Sequence, residues 1–62
     1  MPRIVIHMFP RDLDTKRRLA KEITDVVTDI CKVGPESVTI SIEEMTDENT
    51  AKGGVLRCDM QQ

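Results

Sequence analysis

The chain has 62 residues, a net charge of −2 and a single aromatic side chain, Phe9. This length predicts one small domain over residues 1–62, which buries only about 60% of the surface that the unfolded chain exposes. No apolar run approaches the roughly 20 residues of a membrane-spanning helix, so we expect no membrane partner. The acidic balance and the lack of a recognition motif argue against a nucleic-acid partner.

A core this small usually needs a disulfide, a metal ion or self-association for stability. The two cysteines show no paired spacing and the sequence shows no signal-peptide pattern, which together indicate a reducing, cytoplasmic location. His7, Cys31 and Cys58 are too scattered along the chain to predict a metal site. We therefore expect no metal and no other cofactor, and we expect the chain to form a homo-oligomer.

The first nine residues predict a strand that begins at the amino terminus. Ile4, Ile6 and Met8 point to one face, and the residues between them make the other face largely apolar as well. Such a pattern is typical of a strand that is covered on both sides. We expect the chain's own helix to cover one face and another subunit to cover the second. His7 is accordingly interpreted as a packed or interface residue.

A long amphipathic helix is predicted after this strand. Asp12 or Asp14 is expected to cap its first free N–H groups. From Thr15 onward, apolar side chains recur with helical spacing and predict a stripe that faces a core. The stripe consists of Leu19, Ala20, Ile23, Val26, Val27, Ile30 and Cys31. Gly34-Pro35 predicts that the helix ends soon after Lys32.

Residues 36–45 have an apolar residue at every second position and predict a second strand. A strand, a long helix and a strand form a βαβ unit, in which a right-handed crossover makes the two strands parallel. Gly53-Gly54 predicts the tight turn of a C-terminal hairpin. The polar tail from Arg57 is expected to lie on a neighbouring subunit. The predicted fold class is therefore α/β or α+β.

Positive charge is concentrated near the amino terminus. Residues 1–21 contain six of the nine basic side chains but only two acidic ones. A positive field of this kind favours small anionic ligands. The alternative interpretation is a solvated helix face that is basic without a ligand. On the polar side of the helix we predict two surface ion pairs, Arg18–Glu22 and Lys21–Asp25.

The residue after the initiator methionine is proline, which normally permits removal of Met1. Pro2 then has a free secondary amine at the start of the first strand, and no other group in the sequence is as well suited to accept and return a proton near neutral pH. An ordinary secondary amine is protonated at pH 7, so a base here needs an apolar pocket and nearby positive charge to lower its pKa. The sequence therefore predicts Pro2 as a general base.

The sequence resembles 4-oxalocrotonate tautomerase and its small relatives in the tautomerase superfamily. The segments that carry the resemblance are the Met1-Pro2 start, the strand that follows it, residues 37–45 and the Gly53-Gly54 turn. The resemblance covers nearly the whole chain. It implies a β-α-β protomer with a short C-terminal hairpin. It also implies dimers with a four-stranded sheet, and a homohexamer built as a trimer of dimers.

The same resemblance implies an isomerase, a keto–enol tautomerase in which Pro2 acts first as base and then as acid on a small anionic enol or 2-keto acid. Arg11 matches the family's arginine that binds a substrate carboxylate, for which a guanidinium is suited by its two parallel donors. The family's second arginine, supplied by a neighbouring subunit, falls on Thr39, and its pocket phenylalanine falls near Thr50. A threonine can hydrogen-bond a substrate carbonyl but cannot neutralise a carboxylate.

Two alternatives remain open. The same proline base supports hydration, dehalogenation or decarboxylation of an unsaturated or keto acid. The substitutions at Thr39 and Thr50 instead favour a non-catalytic subunit of a tautomerase-like oligomer, in which a partner chain has the pocket groups that this chain lacks. Arg3, Phe9 and Arg57 are candidates to replace the missing pocket groups.

Overall fold

The computed structural model of the chain describes residues 2–60. Its helix and strands are, in chain order, β1 (Arg3–Met8), α1 (Leu13–Cys31), β2 (Thr39–Glu44), β3 (Ala51–Lys52) and β4 (Val55–Leu56). β1 and β2 pair in parallel, and β3 and β4 form an antiparallel hairpin. The predicted α+β class, the β-α-β unit and the C-terminal hairpin are therefore confirmed.

The helix covers one face of the β1–β2 sheet. Ile4, Ile6 and Met8 are half-buried, whereas the residues between them are exposed. Met8 is the register partner of Glu44, whose carboxylate forms an ion pair with Lys16 of α1. Since alternate residues of a strand share a face, this ion pair identifies the isoleucine side of β1 as the side beneath the helix. The opposite face is open in the single chain.

The start of α1 is stabilised by a hydrogen bond between side chains. Asp12 occupies the N-cap position, but its carboxylate accepts a hydrogen bond from the Thr15 hydroxyl (2.5 Å) and none from a backbone N–H. This bond lowers the pKa of Asp12 below its usual value. The helix begins at Leu13, six residues before Leu19, the first residue of the apolar stripe.

The end of α1 differs from the prediction. The helix stops at Cys31, and Lys32 adopts a left-handed conformation (φ 58°, ψ 47°), from which its N–H donates to the carbonyl of Thr28 at 3.0 Å. Gly34, which the sequence suggested as the terminator, is extended. The next segment is a single 3-10 turn at Pro35–Ser37, so β2 begins at Thr39, later than the predicted strand.

The apolar stripe of α1 is only partly covered. Leu19, Ile23 and Val27 are half-buried, but Val26 and Ile30 are 56% and 71% exposed. Cys31 was predicted to be a core residue, and this was wrong for the single chain, where it is exposed. It lies at the last helical position, beyond the part of α1 that the sheet covers.

No residue within the described range 2–60 is fully buried. The molecule is elongated, with extents of 45 × 23 × 14 Å. The same described range contains no helix long and apolar enough to cross a membrane. The single chain therefore has two layers but no closed core between them.

Candidate active site

Pro2 lies at the open start of β1 and is held there by the neighbouring strand. It is half-buried, and its carbonyl oxygen accepts a hydrogen bond from the backbone N–H of Thr39 at 3.1 Å. Thr39 is the first residue of β2 and the register partner of Arg3. The structure thus brings together two of the three predicted site residues, Pro2 and Thr39. Met1 lies outside the described residues.

Arg11, the third predicted site residue, lies beyond the opposite end of β1. The six residues of this strand span about 20 Å, so Arg11 is remote from Pro2 within one chain. It is exposed and lines one end of a groove of about 610 Å³ along α1. The other lining residues are Thr15, Arg18, Leu19, Glu22, Ile23, Val26 and Val27. Arg11 can therefore reach the Pro2 end of a sheet only from another copy of the chain.

Phe9 and Arg57, two candidates to replace missing pocket groups, contact each other instead. The guanidinium carbon of Arg57 lies 4.5 Å from the centre of the Phe9 ring, and its Nε donates to Asp47 at 3.1 Å. This cluster connects the C-terminal hairpin to the end of β1, away from Pro2. The predicted polar tail is thus a 3-10 turn at Arg57–Asp59 that is held by its own chain, while residues 61–62 lie outside the described part.

Thr50, where the resemblance implied a phenylalanine, lies in the same region. Its carbonyl oxygen accepts the backbone N–H of Arg57 at 2.7 Å. It lines a small pocket of about 250 Å³ together with Ala51, Lys52, Arg57 and Met60. In the single chain this pocket belongs to the hairpin, and Pro2 is not among its lining residues.

The open face of the sheet has two cross-strand contacts that the sequence analysis missed. Arg3 Nη2 donates to Ser41 Oγ at 3.2 Å, and His7 Nδ1 lies 3.4 Å from Glu43 Oε1. His7, interpreted as a packed or interface residue, is 63% exposed in the single chain. Neither contact could be found before the parallel register was known, because both join residues far apart in sequence.

The positive field expected near the amino terminus is largely neutralised by ion pairs. Four of its six basic side chains pair with carboxylates: Lys16–Glu44, Arg17–Asp14, Arg18–Glu22 and Lys21–Asp25. Two of these are the predicted helix pairs, which are confirmed. Within residues 2–60, Arg3 and Arg11 are the two arginines without a carboxylate at ion-pair distance, so they remain available for an anionic ligand.

The described residues offer no obvious metal centre. Nowhere in residues 2–60 do three histidine, cysteine, aspartate or glutamate side chains lie close enough together to hold a metal ion. Cys31 and Cys58 are both free and exposed. The residues that lie next to Pro2 are Thr39, through its backbone N–H, and Arg3, the following residue of the chain.

A family model described as tautomerase enzyme matches residues 2–59. This chain belongs to the tautomerase family. A probable tautomerase from Listeria innocua serovar 6a is 34% identical over 61 residues, which cover 97% of this chain and 100% of the relative. The resemblance drawn from the sequence is therefore confirmed, and a tautomerase-like, isomerase-type function is supported.

Solved structures of other tautomerase-family proteins have the same fold. YwhB, a homologue of 4-oxalocrotonate tautomerase, is 28% identical with a TM-score of 0.86, over 97% of this chain and 100% of that one. A second homologue, TTHB242, is 24% identical with a TM-score of 0.90 over the whole of both chains. A subunit of the heterohexameric 4-oxalocrotonate tautomerase from Chloroflexus aurantiacus is 21% identical with a TM-score of 0.82, over 98% of this chain and 100% of that one.

Proposed function

We propose that this chain is a keto–enol tautomerase in which Pro2, freed by removal of Met1, is the general base and then the general acid. Its ring nitrogen accepts a proton from a small enol or 2-keto acid and returns it to another atom of the same molecule. The observation that supports this most is the Thr39 hydrogen bond, which fixes Pro2 at the open start of a strand in a member of the tautomerase family.

A proline base at this position needs surrounding groups that lower the pKa of its ring nitrogen. Its ring nitrogen must be uncharged near pH 7, and desolvation with nearby positive charge lowers the pKa of an amine in this way. Pro2 is only half-buried in the single chain. A second copy that covers the start of β1 supplies the missing desolvation, so the proposed chemistry and the proposed oligomer depend on each other.

Arg11 and Thr39 are the proposed substrate-binding residues. Arg11 is exposed and has no carboxylate of residues 2–60 at ion-pair distance; it donates to the substrate carboxylate from a neighbouring copy, because its own Pro2 is about a strand length away. Thr39, whose backbone N–H donates to the Pro2 carbonyl, donates its hydroxyl to the substrate carbonyl in this proposal. Both groups then stabilise the negative charge that develops on the enolate-like transition state.

The proposed assembly is a homohexamer, built as a trimer of dimers with a four-stranded sheet in each dimer. The chain itself gives the physical reason, since no residue in the range 2–60 is buried and several large apolar side chains are exposed. These are Val5, Leu13, Val26, Ile30, Val55 and Leu56. Six large apolar side chains exposed on a chain of 62 residues indicate interaction surfaces.

The proposed partners are therefore a small anionic substrate and further copies of this chain, without a nucleic acid or a membrane. The acidic composition supports the first exclusion. The proposed location is the cytoplasm, and the two free cysteines support a reducing compartment.

Replacement of the base tests the proposal. Pro2→Ala is expected to lower kcat for ketonisation of phenylenolpyruvate or 2-hydroxymuconate at least 100-fold, the lower range for a positioned acid–base group. Intact-mass measurement of the natural protein should give the chain without Met1. Wild-type activity in Pro2→Ala, or a permanently retained Met1, would remove the proline base from the mechanism.

Arg11→Ala measures the role of the carboxylate-binding arginine in the same assay. We expect a rise in KM with a smaller change in kcat, because a ground-state contact is lost. Arg17→Ala removes the same charge from a helix residue that already pairs with Asp14, and it is expected to leave both constants unchanged. If the two variants changed the constants equally, the effect would come from the lower positive charge of the protein and not from a contact between Arg11 and the substrate.

A non-catalytic subunit is the second candidate function, and one observation favours it. Thr39, the residue hydrogen-bonded to Pro2, has no charge to offer a carboxylate or an enolate. A chain that is inactive alone and becomes active only when mixed with a homologous subunit would support this candidate. Activity of the purified chain alone would exclude it.

A further inference from the structure

Arg3 is the arginine nearest to Pro2 in the sheet. It is the residue after Pro2 and the first residue of β1, and its register partner is Thr39, the first residue of β2. Both Arg3 and Thr39 are exposed on the open face. The backbone bond from Thr39 to Pro2 places all three residues at one end of the β1–β2 pair.

The Arg3 guanidinium has a neutral and easily replaced partner. Its Nη2 donates to the hydroxyl of the half-buried Ser41 at 3.2 Å, and no carboxylate of residues 2–60 forms an ion pair with it. Arg17, Arg18 and Arg57, by contrast, are each paired with a carboxylate. A carboxylate carries a negative charge and accepts two parallel N–H bonds from a guanidinium, whereas the Ser41 hydroxyl is neutral and accepts one, so an anion that reaches this end of the sheet is the stronger partner for Arg3.

We infer that Arg3 is a substrate-binding residue, whose guanidinium binds an anionic oxygen of the molecule that reacts at Pro2 of the same chain. The inference rests on the proposed function and adds to it a cation that Thr39 lacks and that Arg11 cannot supply within one chain. Arg3 then holds the acid group of the substrate next to the base, which places the reacting carbon over the start of β1.

The test compares a charged and an uncharged substrate. Arg3→Ala is expected to lower kcat/KM for the enol of phenylpyruvate about 10- to 100-fold, the effect of one charge-assisted hydrogen bond, with most of the change in KM. The methyl ester of the same enol has no anionic carboxylate, and we expect its kcat/KM to change less than about 2-fold. An equal loss with acid and ester would overturn the inference.

Two further variants separate binding from structural support. Arg3→Lys keeps the charge but loses the planar pair of donors, and it should retain part of the activity with the acid. Ser41→Ala removes the present partner of Arg3 and should leave kcat/KM for the acid within about 2-fold of wild type. If Ser41→Ala instead reproduced the loss seen in Arg3→Ala, the role of Arg3 would be to hold β1 and β2 together through Ser41, and it would not be a substrate-binding residue.

The outcome can be distinguished from failure of the proposed function. Pro2→Ala reports on the base alone, whereas binding of phenylpyruvate, followed by NMR titration, reports on Arg3 without turnover. We expect Pro2→Ala to bind this acid and Arg3→Ala to bind it about 10-fold more weakly. Equal affinity of wild type and Arg3→Ala, or no binding by the wild type, would overturn the role of Arg3 whatever the result for Pro2.

Discussion

The Asp12 carboxylate makes the start of α1 sensitive to pH. Its hydrogen bond from the Thr15 hydroxyl lowers its pKa in the folded chain relative to the unfolded chain. A carboxyl group with a lowered folded pKa stabilises the fold above its unfolded pKa, and this contribution is lost as the pH falls through the folded pKa. The helix start is therefore expected to weaken in acid and not in base.

Thr15→Ala tests this dependence. We expect the pKa of Asp12 to rise towards its usual value and the melting temperature at pH 7 to fall. The difference from wild type should disappear below the folded pKa, where Asp12 is protonated in both proteins. NMR titration of the Asp12 carboxyl and thermal unfolding at several pH values measure these effects. Thr24→Ala, the same change in the middle of α1, is the control, and a matching pH dependence there would contradict the assignment.

The neighbours of Pro2 could be predicted from the sequence only in part. The βαβ pattern implied parallel strands, which place the start of β1 beside the start of β2. The resemblance, however, implied that position 39 acts from a neighbouring subunit, so the contact of Thr39 with Pro2 of its own chain was not predicted. The contact between Arg3 and Ser41 needed the register, which no local pattern specifies. The roles of Pro2, Arg11 and Thr39 remain predictions, because they concern a substrate and neighbouring copies that one chain does not contain.

At the scale of the elements, the end of α1 stores conformational strain. Lys32 has a positive φ of 58°, a region in which an L-residue with a Cβ atom is strained and glycine is not. The N–H bond to Thr28 depends on this conformation. A glycine at position 32 therefore fits the observed backbone better than the natural lysine does.

Lys32→Gly is expected to raise the free energy of unfolding by about 0.5 kcal/mol. Relief of the left-handed strain is worth about 1–2 kcal/mol, and the greater freedom of glycine in the unfolded chain offsets about 0.4–1 kcal/mol of it. Urea unfolding measures the difference. Lys32→Ala removes the same charge but keeps the Cβ atom, so no gain is expected; a gain of equal size would assign the effect to charge.

Elements governed by local periodicity were predicted well. The helix α1, its two ion pairs and the Gly53-Gly54 turn depend on residues within a few positions of one another, and both glycines have the positive φ that such a turn needs. The ends of elements were predicted less well. Gly34-Pro35 is a strong terminator, yet the helix had already ended in a left-handed lysine, whose conformation no sequence rule favours.

At the scale of the whole molecule, the exposed apolar side of α1 is the feature that the single chain leaves unexplained. Val26 and Ile30 lie on the predicted stripe but are mostly exposed. Burial of one such side chain is worth about 1.5–3 kcal/mol. An assembly that covers this side in several copies at once therefore gains enough to stabilise a chain without a closed core.

Ile30→Lys is expected to break up the assembly. A lysine in a buried contact must keep its charge in water, so the variant should elute from size-exclusion chromatography as smaller species than wild type and lose activity and helical signal. Asp29→Lys adds a lysine at the adjacent, polar position and is expected to elute with wild type. A wild-type protein that elutes as a stable, folded monomer would contradict the proposed oligomer.

Within residues 2–60, β1 and β2 form a sheet of only two strands, and each has one side whose backbone donors and acceptors face no neighbour in that sheet. An open edge of this kind is a template on which another extended chain can pair. A freshly synthesised copy is therefore a template for indiscriminate strand addition until a sister copy occupies it. We therefore expect rapid overproduction, in which synthesis outpaces pairing of the copies, to deposit the protein in inclusion bodies.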